Sequence, residues 1–140
     1  MDEAKKQLIQ NWLTRAKSDL RAAQILSANA QLDTAIYHCQ QAGEKAVKAF
    51  LVFCDEPLHR THDVESLILI ANGYNAQFLS WQSTGSLLTP YATAYRYPAE
   101  PFYGQPTQQE FDDAFITVDA LFAFVLSVLP ADTHPNTHPK

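Results

Sequence analysis

The stretch DTAIYHCQQAGEKAVKAFLVFC, residues 33–54, decides the fold class. It contains no proline and a single glycine, and its apolar residues (Ala35, Ile36, Cys39, Ala42, Ala46, Val47, Ala49, Phe50, Leu51 and Phe53) fall on every side of a 3.6-residue period. Such a run is a helix, and a helix apolar all round is buried on several sides. In a chain of 140 residues it is a central helix, or one that also meets a second subunit. Asp33 is its predicted N-cap, and Asp55-Glu56-Pro57 marks its end.

Outward from this segment the same period continues. Upstream, Leu8, Trp12, Ala16, Leu20, Ala23 and Leu26 recur at spacings of three and four and predict a long amphipathic helix over 3–29. Lys5, Lys6, Arg15, Lys17, Asp19 and Arg21 lie mostly off that stripe. Downstream, a polar loop over 58–63 leads to a short helix with Val64, Leu67, Ile68 and Ala71 on its apolar face and Gly73 as terminator. A less regular segment over 76–95 is interrupted by Gly85 and Pro90, and a loop with three prolines follows over 97–106. Thr107-Gln108-Gln109-Glu110 has the capping-box pattern. The final helix carries Phe111, Phe115, Val118, Leu121, Phe122, Val125 and Leu129 up to Pro130. The expected fold is all-α, an up-and-down helical bundle of four long helices plus one short helix. It spans 1–129, with a polar, proline-containing tail over 130–140 expected to be disordered.

A formal charge of −5, with 46% hydrophobic and 18% charged residues, excludes a protein that coats nucleic acid through bulk electrostatics. Ten Lys and Arg residues still allow a local basic site. Cys39 and Cys54, fifteen residues apart on one helix, stand roughly 22 Å apart at ~1.5 Å per residue, beyond disulfide reach. Reduced cysteines, an N-terminus without an apolar leader and the lack of a membrane-length apolar run lead to the expectation of a cytoplasmic protein.

Five residues are candidates for holding phosphate. Arg96 ends a helix just before a residue that Pro98 pushes out of helical geometry; its guanidinium either stabilises the helix C-terminus or clamps two phosphate oxygens. Tyr97 follows it, among the aromatics Tyr91, Tyr95, Phe102 and Tyr103, which either pack or stack on bases. His62, between Thr61 and Asp63, either bonds within its loop or contacts phosphate and moves a proton near neutral pH. Lys45 and Lys48 are cations on an otherwise apolar helix, where the plain reading is a Glu44–Lys48 pair one turn apart or a Lys45 at a dimer seam. The alternative is charge for a nucleotide cleft. His59 with His62, and His134 with His138, are poor metal sites, so neither a metal nor a cofactor is called for. No nucleophile triad, phosphate-cradling glycine loop or carboxylate pair is visible.

Three stretches together resemble the HEPN domain. Trp12, Ala16, Asp19, Leu20 and Ala23 are similar to its opening W-x-x-x-A-x-x-D-L-x-x-A pattern. Residues 40–49 resemble its Q-Q-A-x-E-K-x-x-K-A run, and Thr61-His62-Asp63-Val64 with Arg96-Tyr97-Pro98 resemble its T-H-D-L and R-Y-P elements. The resemblance implies a homodimeric helical bundle that partners a minimal nucleotidyltransferase, as a toxin–antitoxin or nucleotide-handling pair. It also implies a metal-independent ribonuclease where an R-x(4–6)-H motif is present. After Arg96 this chain has no histidine at that distance, and Arg60 is too close to His62. The expected function is therefore nucleotide or RNA binding beside a nucleotidyltransferase. A ribonuclease with a degenerate site and a purely structural helical subunit are the alternatives.

Overall fold

The computed structural model describes residues 1–93 and 105–135. The protein is all-α, with α1 over Glu3–Ala28, α2 over Leu32–Phe53, α3 over Val64–Asn72, α4 over Gln82–Leu88 and α5 over Gln108–Ser127. The irregular fourth segment is α4 flanked by 3-10 turns at Ala76–Trp81 and Thr89–Ala92. α2 is the central helix and packs against each of the other four.

Local chemistry fixes most of the helix ends. Asp2 caps α1 by accepting from the Lys5 backbone N–H at 2.7 Å. Asp63 caps α3 through the Ser66 N–H, and Thr107 with Glu110 forms the expected capping box on α5. Asp33, by contrast, is not an N-cap. α2 starts one residue earlier, with Gln31 at the cap position making no side-chain cap, and the Asp33 carboxylate takes the Thr34 N–H instead. α1 and α2 both end in paired closing bonds of the Schellman kind. Gln31 N–H donates to Leu26 O while Ala30 N–H donates to Ser27 O, and Glu56 and Asp55 do the same to Leu51 and Val52. The left-handed residues these closures need are Ala30 (φ 61) and Asp55 (φ 60), not glycines. Gly73 does stand at the end of α3, but in right-handed geometry (φ −64).

The buried face of α1 is Ile9, Leu13, Ala16, Leu20 and Ala23, one row round from the expected stripe at its N-terminal end. Positions 8, 9, 12 and 13 are all apolar, so spacing alone allows either row. Packing against α2 selects Ile9 and Leu13, leaving Leu8 exposed and Trp12 half-buried at the edge of the core. Asp19, expected off the stripe, is buried. At the other end of α2 the core is aromatic, with Phe50, Phe78, Phe124 and Trp81 linked by ring separations of 4.6, 5.0 and 5.4 Å. Cys39 and Cys54 are free thiols, and burial pushes the Cys39 thiol up to about 12, so it stays protonated and inert.

Residues 130–135, which the sequence assigns to the tail, fold back onto α1. Ala131–Thr133 is a 3-10 turn, Thr133 is buried, and Gln10 donates to His134 O at 3.0 Å. The His134 Nε2–H points at the carbonyls of Leu126 and Leu129, which leaves that nitrogen unavailable to a metal. His138 lies outside the described residues.

Gly85 does not interrupt the fourth segment; it sits inside α4 at the contact with α3. A Cβ there would meet Glu65 Cα at 2.7 Å and Ile68 Cδ1 at 3.1 Å, so the two helices approach along a bare backbone. Gly85→Ala is expected to destabilise the protein by about 1–3 kcal/mol, the usual cost of overpacking, in urea unfolding. A variant as stable as the parent would show that α3 and α4 separate freely.

Candidate functional site

α2 carries Gln40, Glu44 and Lys48 in one row, each one helical turn from the next. All three are buried, an unusual density of polar groups for an interior helix. Glu44 organises them. Its Oε2 accepts from Lys48 Nζ at 2.9 Å, and its Oε1 accepts from Gln40 Nε2 at 3.2 Å and from the His62 Nδ1–H at 3.0 Å. Gln40 Nε2 also donates to the His62 carbonyl at 2.9 Å, and Gln41 Nε2 supplies Gln40 Oε1 at 2.7 Å. His62 is thus gripped twice by one helix, through its backbone and through its ring. Its side chain nevertheless remains 63% exposed. With Nδ1 committed to the carboxylate, Nε2 is the ring nitrogen left for anything outside.

The turn that presents His62 is itself braced. Asp63 N–H donates to Thr61 Oγ1 at 3.1 Å. The Asp63 carboxylate accepts from Ser66 N–H, from Ser66 Oγ at 2.7 Å and from Thr89 Oγ1 at 3.0 Å, tying the start of α3 to the end of α4. The Ser66 hydroxyl foremost, then the Ser66 N–H and Thr89, hold the Asp63 carboxyl below its usual value against the opposing effect of burial.

A second cluster lies along α2. Asp19 on α1 accepts from Lys45 Nζ at 2.6 Å with one oxygen and from the His38 Nδ1–H at 2.8 Å with the other. Tyr37 meets the His38 ring edge-on at 5.7 Å. Lys45 and Lys48 are therefore both paired with carboxylates. Lys48 is also 5.7 Å from the centroid of the Trp12 ring. Lys45 retains about a fifth of its side-chain exposure and Lys48 less than a tenth.

Of the residues singled out from sequence, the structure brings His62 and Lys48 together around Glu44 and places Lys45 in the neighbouring cluster. The expected Glu44–Lys48 pair is present. Arg96 and Tyr97, with Tyr95, Phe102 and Tyr103, lie outside the described residues. Tyr91 is described and packs half-buried on the core. Sequence reasoning missed Gln40, Asp19 and His38. The i, i+4 ladder of 40, 44 and 48 was a usable clue, whereas Asp19 meets His38 and Lys45 across helices and leaves no local pattern. Among the described residues there is no group of three or more His, Cys, Asp or Glu placed to hold a metal, and no helix long and apolar enough to cross a membrane.

The HEPN domain family model matches residues 9–128. The chain belongs to the HEPN family. Two solved structures share its fold. One is the crystal structure of TT1696 from Thermus thermophilus, with a TM-score of 0.79 and 23% identity over 88% of this chain and 99% of that one. The other is ST0689, described as an archaeal HEPN homologue, with a TM-score of 0.69 and 23% identity over 85% of this chain and 95% of that one. At that identity they carry the helical architecture and nothing finer. No curated protein matches the chain.

Two measurements test this arrangement in the HEPN domain. Glu44→Gln leaves Lys48 buried beside a neutral amide, and Lys48→Met leaves a buried carboxylate short of its cation. Each is expected to cost ~3–5 kcal/mol in urea unfolding, and the double variant less than the sum. Costs under about 1 kcal/mol would equate the pair with an exposed one. The second concerns acid. Asp63 has a folded-state pKa below its unfolded value, so it adds stability above the ordinary carboxylate range and loses it as pH falls through the depressed value. Asp63→Asn, which still caps but cannot titrate, should flatten that part of the acid limb. A stability difference from the parent that stays constant from neutral to strongly acid pH would refute the assignment.

Proposed function

We propose that this HEPN-domain protein binds the phosphate of a nucleotide or RNA, acting as a cytoplasmic homodimer beside a minimal nucleotidyltransferase, in the manner of a toxin–antitoxin or nucleotide-handling pair. The observation that carries the reading is the His62 imidazole, exposed on its outer edge and fixed on its inner edge by a buried carboxylate. A protonated ring held in this way presents Nε2–H to a phosphate oxygen, and the carboxylate behind it fixes the direction in which that N–H points. Arg96 is the proposed fork for two phosphate oxygens, and Tyr97, next to it in the sequence, the proposed stacking surface. Lys45 adds charge only by giving up Asp19, and Lys48 serves chiefly to hold Glu44. The homodimer and the nucleotidyltransferase partner rest on the family alone. The net charge of −5 suits a local phosphate contact better than a broad nucleic-acid track.

A metal-independent ribonuclease is the second reading, favoured by one observation. A carboxylate-anchored imidazole with a free outer nitrogen is also the arrangement of a general base able to take a proton from a ribose 2′-hydroxyl.

His62→Ala and Arg96→Ala are each expected to weaken binding of a nucleoside triphosphate or single-stranded RNA by about tenfold at fixed salt, with helical content by circular dichroism unchanged. Undiminished binding by both variants would remove the proposed site. Cleavage of the RNA without added metal, abolished by His62→Ala, would put the enzyme reading ahead.

A further inference from the structure

The offset of the α1 stripe leaves a groove of about 550 Å³ between the first turns of α1, the end of α2 and the loop that follows it. Its walls are Leu8, Trp12, Leu51, Val52, Leu58 and Leu67. Leu8 is 47% and Leu58 63% exposed, so the apolar wall of the groove reaches solvent at its rim.

Two features decide what would occupy it. The two lysines and the histidine that line it are already paired with carboxylates of the chain: Lys48 with Glu44, Lys5 with Asp55 at 2.9 Å, and His59 with Glu56 at 2.6 Å. A small anionic ligand would find no unpaired cation to hold it, and its binding would leave the rim leucines in water. The second feature is charge. At the ion pair on its wall the carboxylate faces outward and the ammonium folds inward: Asp55 is 79% exposed against 22% for Lys5. Asp2, which lines the groove, is exposed as well. A phosphate-bearing ligand is repelled there, and a basic one is attracted.

We infer that this groove docks a basic amphipathic helical segment of a partner protein, with two apolar side chains one turn apart entering between Leu8 and Leu58 and flanking Lys or Arg residues meeting Asp2 and Asp55. Apolar side chains at that spacing match a groove running along a helix, and the basic flanks match the displayed carboxylates. The site is separate from the outer edge of His62 and does not depend on the nucleotide reading.

The test is a phage-displayed library of random peptides panned on the full chain. Enriched sequences should combine two large apolar residues one helical turn apart with net positive charge. A synthetic peptide of that consensus should lose affinity by about tenfold or more on Leu8→Glu or Leu58→Glu, both exposed positions, as expected for anchors in an apolar pocket. Asp55→Asn keeps the left-handed conformation at that position and should weaken binding severalfold, as should added salt. No enrichment, enrichment of acidic peptides, or equal binding to Leu58→Glu overturns the proposal. A dimer in sedimentation that Leu58→Glu dissociates would assign the groove to a second copy of this chain, and overturns it too.

Discussion

The structure turns on one buried carboxylate. Glu44 lies in the middle of the central helix, where desolvation opposes a charge strongly, and three donors from two elements make its burial tolerable: Lys48 and Gln40 on α2, and His62 on the loop before α3. A pair of this kind is a poor source of stability, since well-packed apolar residues of the same volume would serve as well or better. What apolar residues could not do is hold an imidazole by one nitrogen while leaving its other edge in water. The arrangement therefore makes sense as a positioning device, and the position it fixes is that of His62.

The rest of the fold supplies that device with rigid walls. α2 contacts every other helix, so its side chains move only if the whole bundle repacks. The backbone of the His62 turn is held from the other side by Asp63, which joins α3 to Thr89 beyond α4. Gly85 lets those two helices close to backbone contact. Thus the segment most irregular in secondary structure, 76–92, is also what clamps the site against α2.

The class of fold was legible because it rests on periodicity, which survives without tertiary information: the all-round apolar run of α2, the Thr107–Glu110 capping box and the Val64–Leu67–Ile68–Ala71 face all read directly from the chain. Details that depend on competition between local options did not read out. Asp33 resembles a cap, but α2 gains a residue by starting at Leu32. Gly85 resembles a break, but serves close packing. α1 offers two apolar rows at its start, and only the position of α2 chooses between them. At the site, Glu44 with Lys48 was visible as a helical pair. The bond from Glu44 to His62 and the bridge from Asp19 to His38 and Lys45 join residues 18 to 26 positions apart and have no local signature.

The same mismatch between rows separates the two surfaces of the molecule. Because Ile9 and Leu13 take the core, Leu8 and Trp12 are displaced to the rim, and Lys48 is drawn under Trp12 to meet Glu44 rather than solvent. One lysine thereby closes the inner end of the His62 network and the floor of the apolar groove. Its charge is neutralised in both places. What each shows to solvent is then set by its remaining groups: an imidazole edge at His62, an outward carboxylate and leucines at the groove. In a chain with a net charge of −5, the proposed anion contact at His62 and the proposed docking groove for a cation thus draw on different groups.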